Sequence, residues 1–254
     1  MATPSSLFVA LKWLFITMTC IMAAALVYLL AMDHYSSCFG LQLGWMQVLD
    51  IDIIIYFLFI AAWFFYKESG WIKAFVFFVL VLWCGSFVTC GYIVIQFFKL
   101  SSEESSKDPL YFVLAGHQKG DIMGHRKQHS MVIAKVIVAV LGCYMLGILI
   151  YAFMINGMPF HMEILTPCMI TGLIDIHIHN VVFTVWILYK ESSWINAVLW
   201  ILSVVCFGSV ALCVYIAREL FHLSPEQHVS FILFNKRSRD LMSSDPLLRE
   251  HSDV

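Results

Sequence analysis

Tyr66-Lys67-Glu68-Ser69-Gly70-Trp71 returns as Tyr189-Lys190-Glu191-Ser192-Ser193-Trp194, 123 residues further on. Each copy lies between two apolar runs and reads as the tight link of a helical hairpin. The offset extends far beyond the motif. It pairs Lys12 with Lys135, Cys20 with Cys143, Met46 with Met169, Asp52 with Asp175 and Trp63 with Trp186. It continues through Gly85-Ser86 with Gly208-Ser209, Cys90 with Cys213 and Tyr92 with Tyr215, and ends near Leu100-Ser101 with Leu223-Ser224. No gap is needed across three apolar runs, so the chain reads as one unit duplicated.

Composition sets the class. The 254 residues are 61% hydrophobic and 13% charged, whereas a water-soluble domain is about 45–50% apolar and about 25% charged. So few charges cannot solvate a globular surface, and the chain reads as an integral, multi-pass membrane protein. The net charge of −2 offers no basic field for nucleic acid. The first apolar run exceeds the roughly 7–15 residues of a signal-peptide core and matches a later internal run, so it reads as a retained span. Of the eight cysteines only Cys38 falls in a loop, and there is no Cys-x-x-Cys. The expectation is small apolar packers rather than a disulfide framework.

A membrane-spanning helix needs about 20 apolar residues. Six runs meet or approach that: 7–32, 48–66, 71–98, 131–155, 170–189 and 194–217. Three spans per unit is an odd number, and the polar segment 99–130 has no run that crosses. The second unit is then expected to enter from the opposite side. The expected fold is an all-α integral membrane protein with six transmembrane helices as two inverted three-helix repeats. Its parts are a first unit 1–100, a polar connection 101–130, a second unit 131–223 and a polar tail 224–254. On that topology Lys and Arg divide eight against seven, so the positive-inside rule does not orient the chain. The longer polar tail favours cytosolic termini. Short apolar pieces after each third run, Pro109–Leu114 and Val229–Phe234, are expected at the membrane interface.

Tyr66, Lys67 and Trp71, with Tyr189, Lys190 and Trp194, have the chemistry of interface anchors: aromatic rings in the headgroup layer and a snorkelling ammonium. A gate at each mouth is the sharper alternative. Asp52 and Asp175 lie 14 residues before the motif tyrosines, about 21 Å along a helix, and so fall inside the membrane. Intramembrane acids face a partner or a wet cavity, so both are candidate pathway residues. Polar packing is the bland reading. Asp175 and His179 share a helix face at i,i+4, and His179 joins the candidate pathway; the matching residue in unit one is Tyr56. One Asp–His pair is too few ligands for a metal. His117, His125 and His129 sit among basic residues and read as a solvated loop. Gly85, Ser86, Gly208 and Ser209 read as small-residue faces for helix packing. No proline falls in mid-span, which argues against broken helices with a central binding site.

Leu165-Thr166-Pro167, Asp175, Trp186, the second copy of the motif and Cys206-Phe207-Gly208-Ser209 resemble a plant family of multi-pass membrane proteins known as a domain of unknown function. The likeness is strongest over the second unit. In that family Asn occupies the position of His179, which weakens any role for the imidazole. The resemblance implies a membrane protein and supplies no substrate.

The expected function is a small-solute, cation or proton carrier or channel. The alternative is a non-transporting scaffold or partner-binding subunit. No nucleophile–His–acid set or phosphate loop is present, so an enzyme is disfavoured. No cofactor or metal is expected. The expected partners are the lipid bilayer, and a second copy or another membrane protein.

Overall fold

The computed structural model describes residues 4–33, 35, 38, 44–68, 70–101, 109–114, 127–157, 166–223 and 232–234. The helices are α1 (Pro4–Asp33), α2 (Trp45–Lys67), α3 (Trp71–Cys84), α4 (Ser86–Lys99), α5 (Pro109–Leu114), α6 (Lys127–Asn156), α7 (Pro167–Lys190), α8 (Trp194–Phe207) and α9 (Ser209–His222). There is no strand among the described residues. The bounds of α1, α3 and α4 recur in α6, α8 and α9 at the 123-residue offset. Local chemistry sets the ends. Thr166 caps α7 by accepting the Met169 N–H at 3.2 Å, with Pro167 in the first turn where no donor is needed. Glu68 and Glu191 turn extended and close α2 and α7.

Four segments are long and apolar enough to cross a membrane: Ser6–Met32, Trp45–Lys67, Met131–Ile155 and Pro167–Lys190. The expected third and sixth spans are not among them. Each breaks in the middle at a glycine, Gly85 at φ 56° and Gly208 at φ 55°, and the chain folds back on itself. Phe77 of α3 lies 5.4 Å from Tyr92 of α4, and the Tyr92 hydroxyl donates to Glu68, just before α3, at 2.7 Å. Trp200 and Tyr215 repeat the contact at 5.2 Å, and Arg218 of α9 reaches Glu191 at 3.1 Å. In a straight helix residues 77 and 92 would be about 22 Å apart. Each arm has 14 residues, about 21 Å, so a folded-back pair is shorter than a core of about 30 Å. Six spanning helices are thereby corrected to four long helices and two folded-back pairs.

The inverted arrangement is corrected with it. Climbing α2 from Leu49 through Tyr56 to Phe59, the facing residues of α7 climb from Gly172 through Asn180 to Phe183. The two helices therefore run parallel. Because each third element turns back, α4 ends where α1 begins: Phe97 packs on Phe8 and Phe15, at 5.8 and 5.9 Å. One end of the molecule, here the basal end, gathers the starts of α1 and α6 and the ends of α2, α4, α7 and α9. The far end gathers the link from α1 to α2 and the link from α6 to α7.

α2 and α7 form the centre; half or more of their apolar windows are buried, against about a fifth for α1 and α6. The folded-back pairs turn large apolar side chains outward, among them Trp71, Ile72, Trp83 and Trp194, each at least 69% exposed. Such faces suit lipid rather than water. At the far end Cys38 and Cys168 form a disulfide that joins the α1–α2 link to the start of α7. This corrects the expectation of free cysteines at these two positions; a separation of 130 residues matches no spacing motif.

Candidate functional site

The two acids of the 123-residue pair are explained by the turns. A helix that starts inside a membrane exposes N–H groups with no intrahelical acceptor. Such backbone is tolerated there only when protein satisfies it. Asp52 of α2 accepts the N–H of Ser209, the first residue of α9, at 2.8 Å. Asp175 of α7 accepts the N–H of Ser86, the first residue of α4, at 2.6 Å. The carboxylates are crossed: each acid caps the folded-back pair of the other unit. The depths agree. Asp52 lies 15 residues before Lys67, about 22 Å from the basal end, and the folded-back arms are about 21 Å long. The positive end of the helix dipole adds to the attraction.

Glycine is required at both turns for two reasons. The φ values fall where side chains are strained. A Cβ on Gly85 would also collide with the Asp175 carboxylate, and one on Gly208 with that of Asp52. These glycines are thus turns, not packing faces, and they supply the mid-span breaks that the absence of proline argued against.

The centre is sealed. Asp52, Asp175, His179, Ser86 and Ser209 are all buried. His179 is brought to Asp175, with Nδ1 at 3.4 Å from the carboxylate and 3.0 Å from the Asp175 carbonyl. Tyr56, the mate of His179, donates to Asn180 of α7 instead. The pair of acids is not brought to one site. No group of three or more His, Cys, Asp and Glu that could hold a metal occurs among the described residues.

The anchor motif divides. Trp71 and Trp194 are exposed, while Lys67 and Lys190 are buried. Their ammonium groups turn inward onto backbone carbonyls, Lys67 onto Phe112 and Val113, Lys190 onto Ile232. Trp63 and Trp186 add indole donors to the carbonyls of Leu114 and Leu233, at 3.4 and 3.2 Å. Tyr66 lines a cavity beneath these pieces. His117 and His125 lie outside the described residues, as does the side chain of His129.

That cavity, about 500 Å³, is the feature sequence reasoning missed. It lies between the basal halves of α2 and α7, with Phe59, Trp63, Val182 and Trp186 on its walls and Val113 and Leu233 above. Both units line it, with Phe15 and Ile93 from the first and Ile216 from the second. In unit one Phe15 stacks on Phe97. The matching positions in unit two are Val138 and Leu220, and both line the cavity. Phe15 itself lines the cavity opposite these two smaller side chains.

Two predictions follow from the crossed caps and the roof. Asp52→Ala leaves a buried N–H without a partner and should lower stability by about 1–3 kcal/mol. In a double-mutant cycle read by melting in detergent, Asp52→Ala should couple to Gly208→Ala and add independently to Gly85→Ala; the reverse pattern contradicts the crossing. Lys67→Met removes a charge-assisted bond from α5, so amide exchange over residues 109–114 should accelerate, and exchange over α7 should not.

Comparison with known proteins gives a family and no activity. No curated protein and no solved structure matches the chain. Residues 1–240 match the family described as protein of unknown function (DUF1475), and the chain belongs to that family.

Proposed function

We propose that this chain is a multi-pass membrane protein that holds the apolar chain of a lipid or lipid-like molecule. The observation that carries the reading is the cavity. Its volume lies within the roughly 300–1,000 Å³ of small-molecule sites, and its lining is aliphatic and aromatic. Its lining residues Leu58 and Ile137 are exposed on α2 and α6, which places the mouth sideways, toward lipid. Trp63, Trp186, Lys67 and Lys190 hold the roof through backbone carbonyls. Four spans and two re-entrant pairs embed this site in the bilayer.

A cation or proton carrier built on Asp52 and Asp175 is less supported. Their carboxylates already hold helix starts, and both are buried. Moving either would leave a buried N–H unpaired, at about 1–3 kcal/mol.

Unit one supplies the test. Val138→Phe with Leu220→Phe sets the two rings of unit one at the matching positions of unit two and fills the cavity from that wall. The double variant should remain folded and lose at least tenfold in labelling by a photoactivatable fatty-acyl probe, with peptides of α2 and α6 as the labelled sites in the parent protein. Equal labelling of parent and variant would refute the cavity as the binding site. Proteoliposome flux separates the carrier: cation or proton uptake abolished by Asp52→Asn plus Asp175→Asn would favour it.

A further inference from the structure

We infer that the basal end faces the cytosol, the disulfide end faces an oxidising compartment, and the cavity is therefore served from the cytosolic leaflet. The first two parts rest on topology alone. The third rests also on the reading of the cavity as a lipophile site.

The basal end collects every Lys and Arg among the described residues. There is no Lys or Arg from Trp13 to Tyr66, nor from Val136 to Tyr189. These stretches comprise most of α1 and α6, the two far-end links and nearly all of α2 and α7. All 15 Lys and Arg lie outside them. Lys12 sits near the start of α1, and Lys127 and Lys135 in the first turns of α6. Lys67 and Lys190 end α2 and α7. Lys73, Lys99 and Arg218 stand near the bases of the folded-back pairs. Lys107, Lys119 and Arg126 belong to the connection between α4 and α6, both of whose attachment points are basal. Lys236, Arg237, Arg239 and Arg249 follow α9, which also ends basally. The eight-to-seven balance existed only for six spans. With the two folded-back pairs returning to their side of entry, the eight described Lys and Arg all fall at one end, and the other seven lie in segments attached to that end. Positive charge is retained on the cytosolic side.

An independent observation agrees on the sign. The disulfide between Cys38 and Cys168 lies at the end without Lys or Arg. Disulfides persist in oxidising compartments and are rare in the cytosol. Described cysteines elsewhere, such as Cys20 and Cys143 at matched positions of α1 and α6, are free. Charge and redox chemistry thus place the same end outward. The bond also ties the α1–α2 link to α7 across the unit boundary, at the face where the two units have no connecting segment.

The location of the cavity follows. Its lining on the central helices runs from Leu58 to Tyr66 and from Val182 to Trp186, within about 14 Å of the basal ends of α2 and α7. The mouth beside Leu58 and Ile137 then opens in the cytosolic half of the bilayer.

The full chain in sealed microsomes tests the topology. Tags inserted within 115–126 and after Val254 should both be removed by protease from the cytosolic face. A tag within 158–165 should survive until the membrane is opened. Tags in 115–126 and after Val254 on opposite sides would overturn the arrangement. After denaturation, maleimide-polyethylene glycol should add to six cysteines without reductant and to all eight with it; eight additions before reduction would remove the redox argument. For the leaflet, proteoliposomes carrying a photoactivatable phospholipid in one leaflet should label cavity peptides only from the tagged side. Labelling from the other leaflet alone overturns the third part. Absence of labelling from either leaflet, with the tags as expected, rejects the lipophile reading and leaves the orientation standing.

Discussion

The structure depends on a carboxylate accepting a backbone N–H in the buried centre of the helix bundle. A helix pair that enters a bilayer and turns back must expose amide groups at its turn, and hydrocarbon offers them nothing. Asp52 and Asp175 supply the acceptor. That requirement accounts for the glycine at each turn, since any Cβ there would occupy the carboxylate's place. It also accounts for the burial of Ser86 and Ser209, whose small side chains let the helix start approach the acid. An intramembrane acid is commonly a mark of transport chemistry. Here both acids have a structural partner at hydrogen-bond distance.

Crossing the caps has a consequence for the assembly. Neither unit can satisfy its own turn, so the two halves are joined by need as well as by contact. α2 and α7 pack in parallel along their length, with Leu49 close against Gly172 and Tyr56 bonded to Asn180. The disulfide closes the far end and the roof pieces close the basal end. The shared frame is then free to differ in detail. Tyr56 faces its mate His179, with ring centroids 6.0 Å apart, so a matched pair that differs in polarity sits where the units meet. Phe15 and Val138, matched positions of unequal volume, both line the cavity.

Much of this frame was legible in the sequence. The hexapeptide copies and the offset placed the helices, paired the acids and identified Asp175 with His179 as neighbours. The fold-back was not legible by the signal sought. Proline is the familiar breaker, but at these turns the breaking residue is glycine at positive φ, and within an apolar run Gly85-Ser86 reads equally as a packing face. One missed turn per unit changed the count from even to odd, and an odd count forces inversion. The cavity was illegible for a different reason. It is lined by apolar side chains of both units, among them Phe15, Val138 and Leu220, and hydrophobic pattern does not distinguish a cavity wall from a packed contact.

The absence of Lys and Arg over two matched stretches was visible before any coordinates, and it separates the two topologies by itself. An inverted repeat sends matched residues to opposite faces, so basic residues kept in register by duplication must balance, as eight against seven did. A parallel repeat sends them to the same face, and the same register then concentrates them. Lys12 with Lys135 and Lys67 with Lys190 are matched pairs. A duplication that preserves basic residues at the ends of its helices is therefore compatible with the positive-inside rule only when each unit crosses the membrane an even number of times. On the proposed membrane placement the turns at Gly85 and Gly208 make that number even, and the crossed carboxylates satisfy the helix starts that the turns expose.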